Sequence, residues 1–103
     1  MPPSAELAQA GDAPDPDADV IIYGASWCNA CRGAAAYLRQ RDIPFVERDV
    51  EREPGARQAM LDAAREAGVQ TRGIPVIDFR GQIIAGFDRS ALEAAIQRTR
   101  TPI

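Results

Sequence analysis

The chain has 103 residues, a formal net charge of -3 and 46% hydrophobic residues, enough apolar material for one compact domain with one modest core. Its cations are all arginine, interspersed with acids, so no basic segment supports nucleic-acid binding, and no apolar run reaches the roughly 20 residues of a membrane span. Histidine and lysine are absent, which removes the usual general base, the commonest metal ligand and any Schiff-base nucleophile and leaves chemistry to cysteine, carboxylate or arginine.

Residues 1–19 are rich in Pro, Ala and Asp and show no apolar periodicity beyond Leu7. They are expected to form a disordered acidic tail ahead of a domain over residues 20–103. Nothing at the start resembles the basic and apolar halves of a secretory signal, and a cytoplasmic monomer is the expectation. Val20-Ile21-Ile22-Tyr23, stopped by Gly24, reads as a strand buried on both faces, which implies a parallel central position. Ala30, Ala34, Tyr37 and Leu38 then recur at helical spacing, with Arg32, Arg39, Gln40 and Arg41 between them, and predict an amphipathic helix starting at the two cysteines.

Pro44 to Val50 predicts a second strand. Pro54 with acidic Glu51 and Glu53 opens a helix carrying Met60, Ala63, Ala64 and Ala67, closed by Gly68. Val76–Phe79 and Gln82–Ala85 read as an antiparallel hairpin turning at Arg80-Gly81, where Gly81 supplies the positive φ. Ser90 and Glu93 have capping-box spacing ahead of Leu92, Ala95 and Ile96 and predict a final helix. The order is βαβαββα, an α/β arrangement without internal repeats.

The only two cysteines stand in Cys28-Asn29-Ala30-Cys31. A bridge between them closes a loop of about four residues and contributes only about 2 kcal/mol in the chain-entropy model, and two thiolates are half of a tetrahedral zinc site that no further Cys or His completes. A redox pair directly after a buried strand and at the start of a helix is the stronger reading. The first turn of a helix offers unpaired N–H groups and the positive end of its dipole, which stabilise a thiolate on Cys28, while Cys31 lies one turn further in. Cys28 then attacks a disulfide, and Cys31 displaces the reduced product from the mixed disulfide.

Ser26-Trp27-Cys28-Asn29-Ala30-Cys31, Gly73-Ile74-Pro75 and Gly86-Phe87-Asp88, in this order and spacing, resemble the glutaredoxin and thioredoxin families over Val20 to Gln97. The resemblance implies a thioredoxin fold, with a four-stranded mixed sheet flanked by three helices. It also implies a cis Ile74-Pro75 bond facing Cys28 and Cys31, with the Ile74 backbone able to pair with a substrate. Trp27, Arg72, Ile74, Pro75, Gly86, Phe87 and Asp88 are the substrate-binding candidates, Arg72 for a carboxylate and Asp88 for an ammonium such as that of glutathione.

Three departures bear on the subfamily. Ile22 stands where thioredoxins carry a buried Asp, Ala25 where typical glutaredoxins carry a lysine, and Ala85-Gly86-Phe87-Asp88-Arg89 where their Gly-Gly-x-Asp-Asp lies. The Gly-Phe pair also resembles NrdH-type redoxins, which draw electrons from thioredoxin reductase. The resemblance thus implies a disulfide reductase acting on disulfide-bearing proteins or glutathione mixed disulfides, supplied by glutathione or thioredoxin reductase. No tightly bound cofactor is expected, with glutathione as a possible co-substrate. Iron-sulfur binding between two copies and a partner-binding adaptor role remain as alternatives.

Overall fold

A computed structural model describes residues 19–100. The acidic tail read from the sequence lies outside them except for Asp19. The chain folds as β1 (Val20–Gly24), α1 (Asn29–Gln40), β2 (Val46–Asp49), α2 (Ala56–Ala67), β3 (Val76–Phe79), β4 (Gln82–Ala85) and α3 (Arg89–Arg100). The strands form one mixed sheet in the order β2-β1-β3-β4. β1 runs parallel to β2, with Tyr23 opposite Arg48, and antiparallel to β3, with Tyr23 opposite Val76. β4 returns antiparallel beside β3.

Alternation along the strands divides the apolar residues between the two faces of the sheet. Val20, Ile22, Ile77, Phe79 and Ile84 pack against Ala34, Ala35 and Leu38 of α1 and Leu92, Ala95 and Ile96 of α3. On the other face Tyr23 and Val76 meet Val50 and α2 through Ala56 and Met60. Three layers result, with β1 covered on both sides as its uninterrupted apolar run requires.

The elements depart from the sequence expectations in five places, the last of them at the start of α3. The inward face of α1 is Cys31, Ala34, Ala35 and Leu38, whereas Ala30 is exposed, because the helix begins at Asn29 and turns the sulfur of Cys31 toward the sheet. The second strand is shorter than Pro44 to Val50. The second helix begins at Ala56, since Gly55 adopts a φ of 84°, outside the helical region. In the hairpin both Arg80 (φ 53°) and Gly81 (φ 92°) are left-handed, as a two-residue turn of the primed type demands. Arg80 is held there by its backbone N–H on the Asp19 carbonyl at 3.1 Å and by its Nε on Asp19 Oδ1 at 3.0 Å.

The last helix is not capped by Ser90 and Glu93. Asp88 caps it, its Oδ1 accepting from the Ala91 N–H at 3.1 Å and its carbonyl from the Leu92 N–H at 2.9 Å. Glu93 instead faces α1. It accepts from Tyr37 Oη at 2.7 Å and Gln97 Nε2 at 2.9 Å, and pairs with Arg41. The Arg41 guanidinium, followed by Gln97 and Tyr37, pulls the Glu93 carboxyl down to about 2, and burial together with the Glu93 hydrogen bond raises the Tyr37 hydroxyl.

Candidate active site

The cysteine loop leaves the sheet at the C-terminal end of β1. Gly24 is buried there, and a Cβ on it would lie 2.5 Å from the Cys31 sulfur, closer than non-bonded atoms approach. The missing side chain is the space the sulfur occupies. The chain turns through Ala25–Trp27, with the Cys28 N–H on the Ala25 carbonyl at 3.2 Å, and Arg32 Nη2 reaches back to the Ser26 carbonyl at 2.8 Å.

Cys28 is the N-cap of α1, extended at φ -85° and ψ 109°, with its side chain in the role that Ser or Asp usually fills. Its sulfur accepts the N–H of Cys31 at 3.1 Å. The two cysteines form a disulfide with Cα atoms 5.2 Å apart, within the ordinary span of such bridges. An exposed Cys28 over an interior Cys31 is not what this form presents: Cys28 is 5% and Cys31 3% accessible. What separates them is the backbone, because only the Cys28 sulfur receives a helix N–H.

The Ile74-Pro75 bond is cis. The β1–β3 register puts Pro75 beyond the Tyr23–Val76 pair, at the sheet end from which the cysteine loop departs. β4 finishes at the same end, and the Gly86 N–H binds the Pro75 carbonyl at 2.8 Å. Arg72, Ile74, Pro75 and Gly86 line an open pocket of about 320 Å³ together with Gln70, Gly73 and Ala85.

The other candidates lie elsewhere. The Phe87 ring sits against α1, where a Cβ on Gly33 would come within 2.9 Å of it, and packs near Tyr37 at 6.2 Å between centroids under the Arg89 guanidinium. Asp88 is occupied as a helix cap. Trp27 is 62% exposed beside Cys28 and is absent from the pocket lining.

A family model described as Glutaredoxin matches residues 20–84. The chain belongs to the glutaredoxin family. It is 30% identical over 79 residues to an uncharacterized glutaredoxin-like 8.6 kDa protein in the rubredoxin operon of Clostridium pasteurianum, covering 77% of this chain and 99% of that protein. Among solved structures it shares the fold of a thioredoxin-like protein (TM-score 0.65, 21% identity, 75% of this chain and 99% of that one). It also shares that of the glutaredoxin of Archaeoglobus fulgidus (TM-score 0.62, 17% identity, 90% and 98%).

Membership of the glutaredoxin family and the bridged CxxC pair together support thiol-disulfide oxidoreductase chemistry. Among the described residues no helix is long and apolar enough to cross a membrane. Sequence reasoning missed Gln70 and Ala85 in the pocket, and it missed Glu51, whose Oε1 accepts the indole N–H of Trp27 at 2.9 Å. A carboxylate 24 positions from its partner leaves no local pattern. The β1–β2 pairing that brings them together is the only signal, and it emerges with the fold.

Proposed function

We propose that this chain is a dithiol reductase of protein or glutathione mixed disulfides. The observation that carries the reading is the helix N–H of Cys31 aimed at the Cys28 sulfur, since a donor to the charged form favours thiolate over thiol. In the reduced protein the Cys28 thiolate attacks one sulfur of the substrate disulfide. The S–S bond breaks, and the departing sulfur leaves as a thiolate that takes a proton from solvent. Cys31, deprotonated, then attacks the Cys28 sulfur of the mixed disulfide. The second substrate thiol is released and the Cys28–Cys31 bridge forms, two electrons having passed to the substrate.

Both electrons reside in the cysteine pair, so the cycle requires no tightly bound cofactor. Two equivalents of glutathione, or a reductase dithiol of the thioredoxin reductase type, return the pair to the dithiol. Arg72 in the pocket suits the carboxylate of a glutathione moiety, and the backbone of half-buried Ile74, two residues ahead of β3 and in the pocket lining, suits pairing with a peptide. The protein acts as a monomer in the cytoplasm in this reading. Cys28→Ser is expected to abolish disulfide reduction, whereas Cys31→Ser retains the first step and accumulates the mixed disulfide, seen as an added substrate mass after acid quenching. A Cys28→Ser protein that still turns over overturns the assignment. Reduction of the oxidised protein by glutathione and by thioredoxin reductase, measured separately, identifies the donor.

A further inference from the structure

Trp27 is the sole tryptophan of the chain, and it stands directly before the nucleophile with most of its ring exposed. An exposed indole on a loop ordinarily samples several rotamers. Here its one polar atom is engaged by Glu51 Oε1 at 2.9 Å, and the Glu51 backbone is itself held. Its N–H donates to Asp49 Oδ1 at 2.8 Å, which also accepts from the Arg52 N–H at 3.1 Å. The Asp49 carbonyl holds the Glu53 N–H at 2.8 Å, and the Val50 N–H binds the Gly24 carbonyl at 2.9 Å. Arg48 closes the turn from below on Glu53 Oε2 at 2.7 Å. The segment after β2 is therefore a bracket fastened to β1 at the point where the cysteine loop departs.

We infer that Glu51 is a positioning residue that fixes the Trp27 ring beside Cys28 as an apolar platform for polypeptide disulfides. This rests on the redox reading above. With its N–H occupied by Glu51, the indole presents a partner with ring surface and no free donor. The pocket at Arg72, Ile74, Pro75 and Gly86 does not include Trp27. A substrate confined to that pocket leaves the ring uncovered, and only a chain that continues past the disulfide reaches it. Burial of a held aromatic face then favours the longer substrate, because the ring loses no rotamer freedom on binding.

The experiment compares the full chain with Glu51→Leu, which removes the acceptor, and Glu51→Gln, which restores an acceptor oxygen. Collisional quenching and anisotropy of the single tryptophan read the ring directly, and steady-state turnover is measured on a disulfide-bonded polypeptide and on 2-hydroxyethyl disulfide. Glu51→Leu is expected to make Trp27 more mobile and to raise KM for the polypeptide by roughly three- to tenfold, the range of one ordinary net hydrogen bond. KM for the small disulfide moves by less than about twofold, kcat holds on both, and Glu51→Gln recovers most of the loss. Unchanged tryptophan mobility in Glu51→Leu, an equal rise in KM on both substrates, or no recovery with Gln overturns the inference while leaving the redox reading standing. Absence of turnover of either disulfide by the unaltered chain overturns the redox reading and the specificity built on it.

Discussion

At Gly24 a single absent methyl group leaves the space that the Cys31 sulfur fills. Replacing it with Ala puts a Cβ 2.5 Å from the Cys31 sulfur, so something must yield, at about 1–3 kcal/mol for overpacking of this kind. The Cys31 side chain is the near neighbour, since Ile22 Cγ2 lies at 4.0 Å. Gly24→Ala is therefore expected to lower the Tm and to slow resolution, so that quenched reactions contain more mixed disulfide than wild type. The Cys28 sulfur accepts the Cys31 N–H at 3.1 Å, and a donor to the charged form favours thiolate over thiol. In Cys31→Ser, ultraviolet absorbance is expected to show thiolate forming at lower pH than in an unstructured thiol, and a midpoint at or above the ordinary value contradicts that role for the N–H. The cysteines and the cis Pro75 were legible because each belongs to a short motif with a fixed spacing. The space left by Gly24 and the grip of Glu51 on Trp27 were not, since each depends on a neighbour brought in by the sheet.

The start of the last helix overturns an expectation drawn from spacing. Ser90 and Glu93 have the spacing of a capping box, and Asp88 is an equally good cap two residues earlier. Spacing alone does not choose between them. The fold chooses Asp88, because Glu93 is drawn across to Tyr37 and Arg41 on α1. Asp88→Ala is expected to cost about 1 kcal/mol in denaturant melts, and Ser90→Ala much less. A larger loss at Ser90 restores the capping box. Glu93 makes a second, pH-dependent link between α1 and α3. Its folded value of about 2 lies below the ordinary 4.5, so its contribution is present in full above about pH 4.5 and is lost as pH falls towards 2. Thermal melts from pH 6 down to pH 3 are expected to fall less steeply for Glu93→Gln than for wild type. Identical slopes mean that the Arg41 pairing adds nothing to stability.

For the molecule as a whole, the order βαβαββα and the central place of β1 followed from local patterning: an unbroken apolar run for the doubly covered strand, two short runs about Arg80-Gly81 for the hairpin and helical spacing for the helices. Which helices lie together was not legible, because each has one apolar stripe and no label for the face it covers. The structure sends α1 and α3 to one face and α2 to the other, and the larger of the two cores contains Phe79, the largest of the fully buried side chains among the described residues. Phe79→Ala is expected to cost about 3–5 kcal/mol, a large share of the stability of a domain this size, and a denaturant midpoint within error of wild type contradicts that core. The same sheet also gives the molecule two poles. Asp19 and the Arg80-Gly81 turn are fastened together at the start of β1, and the five residues of that strand carry the chain roughly 16 Å to the sulfurs at the other end. A resin, an electrode or a carrier protein joined at Asp19 therefore holds the molecule at the pole opposite the cysteine pair.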